Sequence, residues 1–66
     1  MKKAYLGVNV GSNSTKGVII DKNNKILAEA YLWTEGNPIG AVKRLISELA
    51  NQFEQKKYKV VGVGTT

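Results

Sequence analysis

Neither cysteine nor histidine occurs among the 66 residues of this chain. Their absence excludes disulfides, a Cys/His zinc site, an iron–sulfur cluster held by this chain alone, and catalysis by Cys or His. It also agrees with a reducing, cytoplasmic location. Proline occurs once, at Pro38. No apolar run approaches the roughly 20 residues of a membrane-spanning helix, so no membrane partner is expected. Acidic residues number five, and Asp21 and Glu35 stand singly beside turns, where turn or cap chemistry accounts for them. The length allows one small domain, which buries only about 60% of its unfolded surface. A hydrophobic share of 42% argues for a folded chain over a disordered one.

Against those five acids stand ten lysines and arginines, a formal net charge of +5. An excess of this kind can mark an anionic partner. The basic residues fall mostly at element ends, a pattern of solvated surface more than of a nucleic-acid stripe. Tyr5, Tyr31 and Trp33 lie on two different predicted strands, so no aromatic–basic platform is evident and nucleic acid is not an expected partner. Trp33, near a strand end, is predicted to be partly buried packing.

Alternation of apolar and polar residues predicts strands over 4–10, 15–21 and from Ile26 to about Trp33. Asp21-Lys22-Asn23-Asn24-Lys25 reads as a polar turn whose asparagines tolerate left-handed geometry. Short connections make the three strands an antiparallel meander. Asn37 is a helix N-cap and Pro38 suits the first turn. Ile39, Val42, Leu45, Ile46, Leu49, Ala50 and Phe53 then recur at spacings of three and four, the apolar stripe of a helix packed on the sheet. Lys56 and Lys57 suit the negative end of its dipole. Tyr58 to Val63 predicts a fourth strand, parallel to its neighbour because a helix precedes it. Gly62 and Gly64 either allow close approach of a ligand or mark a bulge. A chain ending directly after such a strand reads as a fragment of a longer protein.

The densest signal is Leu6-Gly7-Val8-Asn9-Val10-Gly11-Ser12-Asn13-Ser14-Thr15-Lys16, where two strands meet at a loop of glycine, hydroxyl and amide residues ending in lysine. Small residues let backbone N–H groups converge, which suits a phosphate. Ser12, Ser14 and Thr15 add hydroxyl donors and Lys16 a positive charge. The same composition also serves an ordinary hairpin.

The order β-β-β-α-β with this loop resembles the amino-terminal half-domain of a ribonuclease H-like fold. It is similar more specifically to the actin-like superfamily of acetate and sugar kinases and heat-shock chaperones, whose first phosphate motif reads Asp-x-Gly-x-x-x-x-Lys. Within it, the chain looks like the ATP-dependent activators of 2-hydroxyacyl-CoA dehydratases and benzoyl-CoA reductases. Val63-Gly64-Thr65-Thr66 stands where those proteins begin a second glycine–threonine motif. Sugar kinases share the opening but carry longer insertions before the equivalent helix.

The resemblance implies a homodimeric ATPase that binds ATP/ADP with Mg²⁺, shares a [4Fe–4S] cluster whose cysteines lie elsewhere in the family sequence, and drives electrons into a dehydratase. Carried onto this chain, Gly11, Ser12, Asn13, Ser14, Thr15 and Lys16 would form the phosphate loop. Gly64 and Thr65 would begin a second loop near the nucleotide. Asn9 stands where the family has its aspartate. A neutral amide holds Mg²⁺ less well than a carboxylate and supplies no anionic base. The isolated chain is therefore expected to be inactive. The competing expectations are a non-catalytic assembly piece that pairs through exposed sheet edges, a sugar-kinase-like segment, and a ribonuclease H-like nucleic-acid-binding domain.

Overall fold

A computed structural model describes residues 1–65, and Thr66, part of the second glycine–threonine motif, lies outside the described residues. Strands β1 (Lys2–Val10), β2 (Ser14–Asp21) and β3 (Ile26–Trp33) come first, then helix α1 (Pro38–Gln52) and strand β4 (Tyr58–Thr65). They form one mixed sheet in the order β3-β2-β1-β4 with the helix laid on one side. β1 pairs antiparallel with β2, and β2 antiparallel with β3. β4 runs parallel to β1, as a strand returning after a helix should. The expected α/β meander with one added parallel strand is thus the observed architecture.

Small residues on β2 and β3 set where the helix sits. Gly17 and Ala30 are paired across the two strands on the helix side, and Ala28 is paired with Ile19 beside them. Leu45 and Leu49 press onto this shallow surface. A Cβ on Gly17 would lie 2.8 Å from Leu45 Cδ2, so the approach depends on glycine. Leu45, Leu49, Ile19, Ala28, Val8 and Ala4 form the buried core, with Leu6, Leu32, Phe53 and Tyr58 packed around it. Full burial of each leucine is worth about 1.5–3 kcal/mol.

The helix packs on β2 and β3 and leaves β4 largely uncovered, while Ala4 and Val8 of β1 stay buried in the core. The apolar stripe is therefore narrower than its spacing predicts. Ala41, Leu45 and Leu49 are buried, whereas Ile39 is 71% exposed and Ile46 is also exposed. Val63, on the helix side of β4, is 67% exposed for the same reason.

Local rules hold at the start of the helix. Asn37 accepts the Gly40 N–H on its Oδ1 at 3.1 Å, and Pro38 follows it in the first turn. Just before, Glu35 (φ 52°) and Gly36 (φ 69°) are both left-handed, and Asn37 N–H reaches the Thr34 carbonyl at 3.0 Å. Two successive positive φ values make this a type I′ turn. At the other end the expectation fails. The helix stops at Gln52 with no basic residue in its last turn, because Phe53 turns to extended backbone. Lys56 and Lys57 lie beyond it, where Lys57 Nζ meets the Glu54 carboxylate at 3.3 Å on the surface.

Candidate functional site

The hairpin between β1 and β2 closes through Gly11 N–H donating to the Ser14 carbonyl at 2.8 Å. A side chain at Gly11 would press on that same carbonyl, its Cβ 3.1 Å away. The loop is held from below by Thr34, at the end of β3. Thr34 N–H donates to the Asn13 carbonyl at 2.9 Å, and Thr34 Oγ1 donates to the Gly11 carbonyl at 2.9 Å. Thr15 Oγ1 lies 2.9 Å from Thr34 Oγ1. Thr34 has one hydroxyl proton and gives it to Gly11, so the proton between the two threonines comes from Thr15.

This chain of hydroxyls corrects one expectation. Thr15 is fully buried and its proton is already spent inside the fold, so its hydroxyl braces the loop from within and is no donor to a ligand. Ser12 and Asn13 are exposed at the tip, and among the described residues their backbone N–H groups donate to nothing. They are the free donors an anion at this end of the sheet would meet.

Two of the expected residues change their setting. Gly64 and Thr65 continue β4 and do not begin a loop, paired with Gly7 and Val8 because β1 extends far enough to carry the parallel ladder on. That pairing brings them to the first motif. Asn9 and Lys16 are cross-strand partners, and Lys16 is in turn the partner of Tyr31. Together with Gly7, Gly64 and Thr65 they line a trough of about 680 Å³ on the face of the sheet away from the helix. The hairpin tip belongs to a neighbouring hollow of about 340 Å³, lined by Ser12, Asn13, Trp33, Glu35 and Gly36. The expected site therefore divides into a lysine-bearing trough and a donor-bearing tip, with Val10 and Gly11 between them in the chain.

Glycine makes the trough deep. Gly7 and Gly64 lie side by side in its floor. A Cβ at Gly64 would meet nothing within 4 Å, and one at Gly7 would make ordinary contact with Val18 at 3.5 Å. Neither position has a positive φ. The fold would accept side chains at both, so the space they leave is free for an outside group. Gly62 has a different role. It follows the bulge that inserts Val61 opposite the step from Ala4 to Tyr5, and a Cβ there would lie 3.1 Å from Tyr5 Cδ1.

Phosphate suits this end of the sheet better than a divalent cation does. Lys16 supplies charge, and the tip supplies unfilled amides. Asn9 offers one neutral carbonyl oxygen, and the described residues contain no group of three or more Asp, Glu, His or Cys able to hold a metal. Glu29, across the trough on β3, is the one carboxylate that lines it. Sequence reasoning overlooked Gly7, Tyr31 and Thr34. Gly7 was visible as a glycine inside a strand, but Thr34 gave no signal because its role depends on contacts 19 and 23 residues away. No family model, curated protein or solved structure matches the chain.

Proposed function

We propose that this chain is the nucleotide-phosphate-binding segment of an actin-like ATPase, of the kind that activates 2-hydroxyacyl-CoA dehydratases in the cytoplasm. The observation that carries this reading is the trough in which Asn9 and Lys16 from the first motif meet Gly64 and Thr65 from the second. Two sequence signals more than 45 residues apart converge on one concave surface next to the free amides of Ser12 and Asn13. The mixed sheet order supports the ribonuclease H-like assignment.

The residues present do phosphate work and not metal work. The tip amides and Lys16 bind and orient the phosphate chain, and the glycine floor lets it approach the backbone. Bound Mg²⁺ would neutralise phosphate charge, but Asn9 does not fit it as an anchor, since a hard dication prefers carboxylate oxygen. A [4Fe–4S] cluster finds no ligand here. Association with a second copy, as the activators require, fits the β4 edge. There Val61 and Val63 are exposed, whereas on the opposite edge Gln52 Oε1 accepts the Glu29 N–H at 3.1 Å.

Amide chemical shifts during titration with ATP test the reading. Shifts at Ser12, Asn13, Lys16 and Gly64 are expected, with little added by Mg²⁺. Asn9→Asp should make the same shifts depend on Mg²⁺. Amides of this set that stay still at millimolar ATP would sink the proposal.

A further inference from the structure

The face of the sheet opposite the helix carries a pattern that the chain order hides. Register places Lys3 and Lys59 together at one end, Tyr5 beside Gly62, then the glycine floor, then Lys16 beside Tyr31, with Trp33 last. Tyr31 and Trp33 meet edge to face with ring centroids 6.0 Å apart, yet they are 59% and 63% exposed. Trp33 is thus not the partly buried residue expected. The three aromatics lie on two strands as expected, Tyr5 on β1 and Tyr31 and Trp33 on β3, yet alternation along both strands turns all three to one side. Along β1, Tyr5 and the Asn9–Lys16–Tyr31 row are roughly 13 Å apart at the usual rise per residue. Between them the floor is glycine and Val18. Three lysines border this face against one carboxylate, Glu29.

We propose that this open sheet face binds single-stranded nucleic acid. The exposed ring faces are stacking surfaces, and any base presents a π-face to them. Lys3, Lys16 and Lys59 flank the aromatics where a sugar–phosphate backbone would run. The glycine-floored middle admits the strand without obstruction. A duplex does not fit this chemistry, because its bases are already stacked on one another. The occupant is chosen by charge and ring together. A polyanion without bases would use only the lysines, and an apolar protein surface would use only the rings. This inference shares Lys16 and the glycine floor with the ATPase reading and gives that surface a different occupant, so the two compete for it.

Trp33 is the single tryptophan, so its emission reports the site directly. Titration with single-stranded oligothymidylate at low salt should quench it. Three phosphate contacts predict a slope of log K against log salt of about −2. Tyr31→Ala should weaken binding about 5- to 150-fold, the range for one lost base stack. Lys16→Gln should reduce the salt slope by about 0.7. Lys43→Gln, exposed on the helix at the other side of the sheet, should change neither. Circular dichroism of each variant checks that the sheet is intact. The proposal is overturned by unmoved Trp33 emission, by full affinity in Tyr31→Ala, or by inorganic polyphosphate competing equally well per charge. Displacement by ATP at equal phosphate concentration would mean a mononucleotide site and would also overturn it. ATP shifts confined to the tip amides, with oligothymidylate quenching intact, would remove the trough from the ATPase reading and support this proposal.

Discussion

The two hairpin ends of the sheet are built in opposite ways. At the β2–β3 end, Asp21 closes its own turn. Its Oδ1 accepts the N–H groups of Asn23 at 2.8 Å and Lys25 at 2.9 Å. Its carbonyl accepts Asn24 N–H, and Asn24 takes the left-handed conformation with φ 65°. The amides of Asn23, Asn24 and Lys25 are consumed by the turn itself. At the β1–β2 end the support comes from outside, from Thr34 beneath the loop, and it engages carbonyls. The amides of Ser12 and Asn13 stay free. A turn that satisfies itself has nothing left for a ligand, whereas a loop propped from below keeps its donors outward.

The largest expected effect strikes both ends together. Leu45→Ala empties the contact that pins the helix to β2 and β3, and should cost about 2–5 kcal/mol. Chemical denaturation should show both hairpins melting in one transition. Separate transitions would mean that the ends are independent folding units. Next comes Thr34→Val, which strands the Gly11 carbonyl and the Thr15 hydroxyl and should cost about 1–3 kcal/mol. In a domain of this size each kcal/mol lowers the melting temperature by about 4–8 °C. ATP-induced shifts at Ser12 and Asn13 should collapse while the amides of Asn23 and Lys25 keep their positions. The Thr15→Val/Thr34→Val pair should be less damaging than Thr34→Val alone, since it removes the orphaned hydroxyl.

Asp21→Ala is the counterpart at the other end. It removes two exposed hydrogen bonds and should cost about 1 kcal/mol. Amide exchange should rise at Asn23 and Lys25 and nowhere near the tip. If nucleotide-induced shifts at Ser12 and Asn13 change in this variant, the two ends are coupled and the contrast between them fails.

The contrast was half legible in the sequence. Asp21 followed by two asparagines announces a self-closed turn, and Asn37-Pro38 announces a helix start, because each depends on neighbours within four residues. β3 fell on its predicted span, and the parallel course of β4 followed from the helix before it. What escaped was everything set by register or coverage. The Thr15–Thr34 brace joins residues that only sheet pairing brings together. The exposure of Ile39 and Ile46 follows from a helix that packs on β2 and β3 and leaves β4 open. The continuation of β4 through Gly64 and Thr65 reflects how far β1 runs, which the glycine–threonine composition of that segment obscured. The shared face of Tyr5, Tyr31 and Trp33 was present in the alternation, but it needed the pairing of β1 to β2 and β2 to β3 to become visible.

The smallest effect on stability should come from Gly64→Ala, and it is the sharpest test of what the tip end is for. Glycine inside a strand is normally a loss of about 0.5–1 kcal/mol relative to alanine, so it persists where something else needs the space. Gly17 shows one such need. Its Cβ would collide with Leu45 and Leu49, and Gly17→Ala should lose about 1–3 kcal/mol through overpacking. Gly64 has no such neighbour, and Gly64→Ala should leave the melting temperature level or slightly raised. Its methyl group would instead occupy the trough floor beside Gly7, and the ATP-induced shift at Lys16 should shrink. Calorimetry and the titration read the two quantities separately. A stability loss matching that of Gly17→Ala would make Gly64 a packing residue like any other, and the glycine floor would then say nothing about a ligand. Unchanged stability with a weakened shift means that the fold leaves this space open and the ligand fills it.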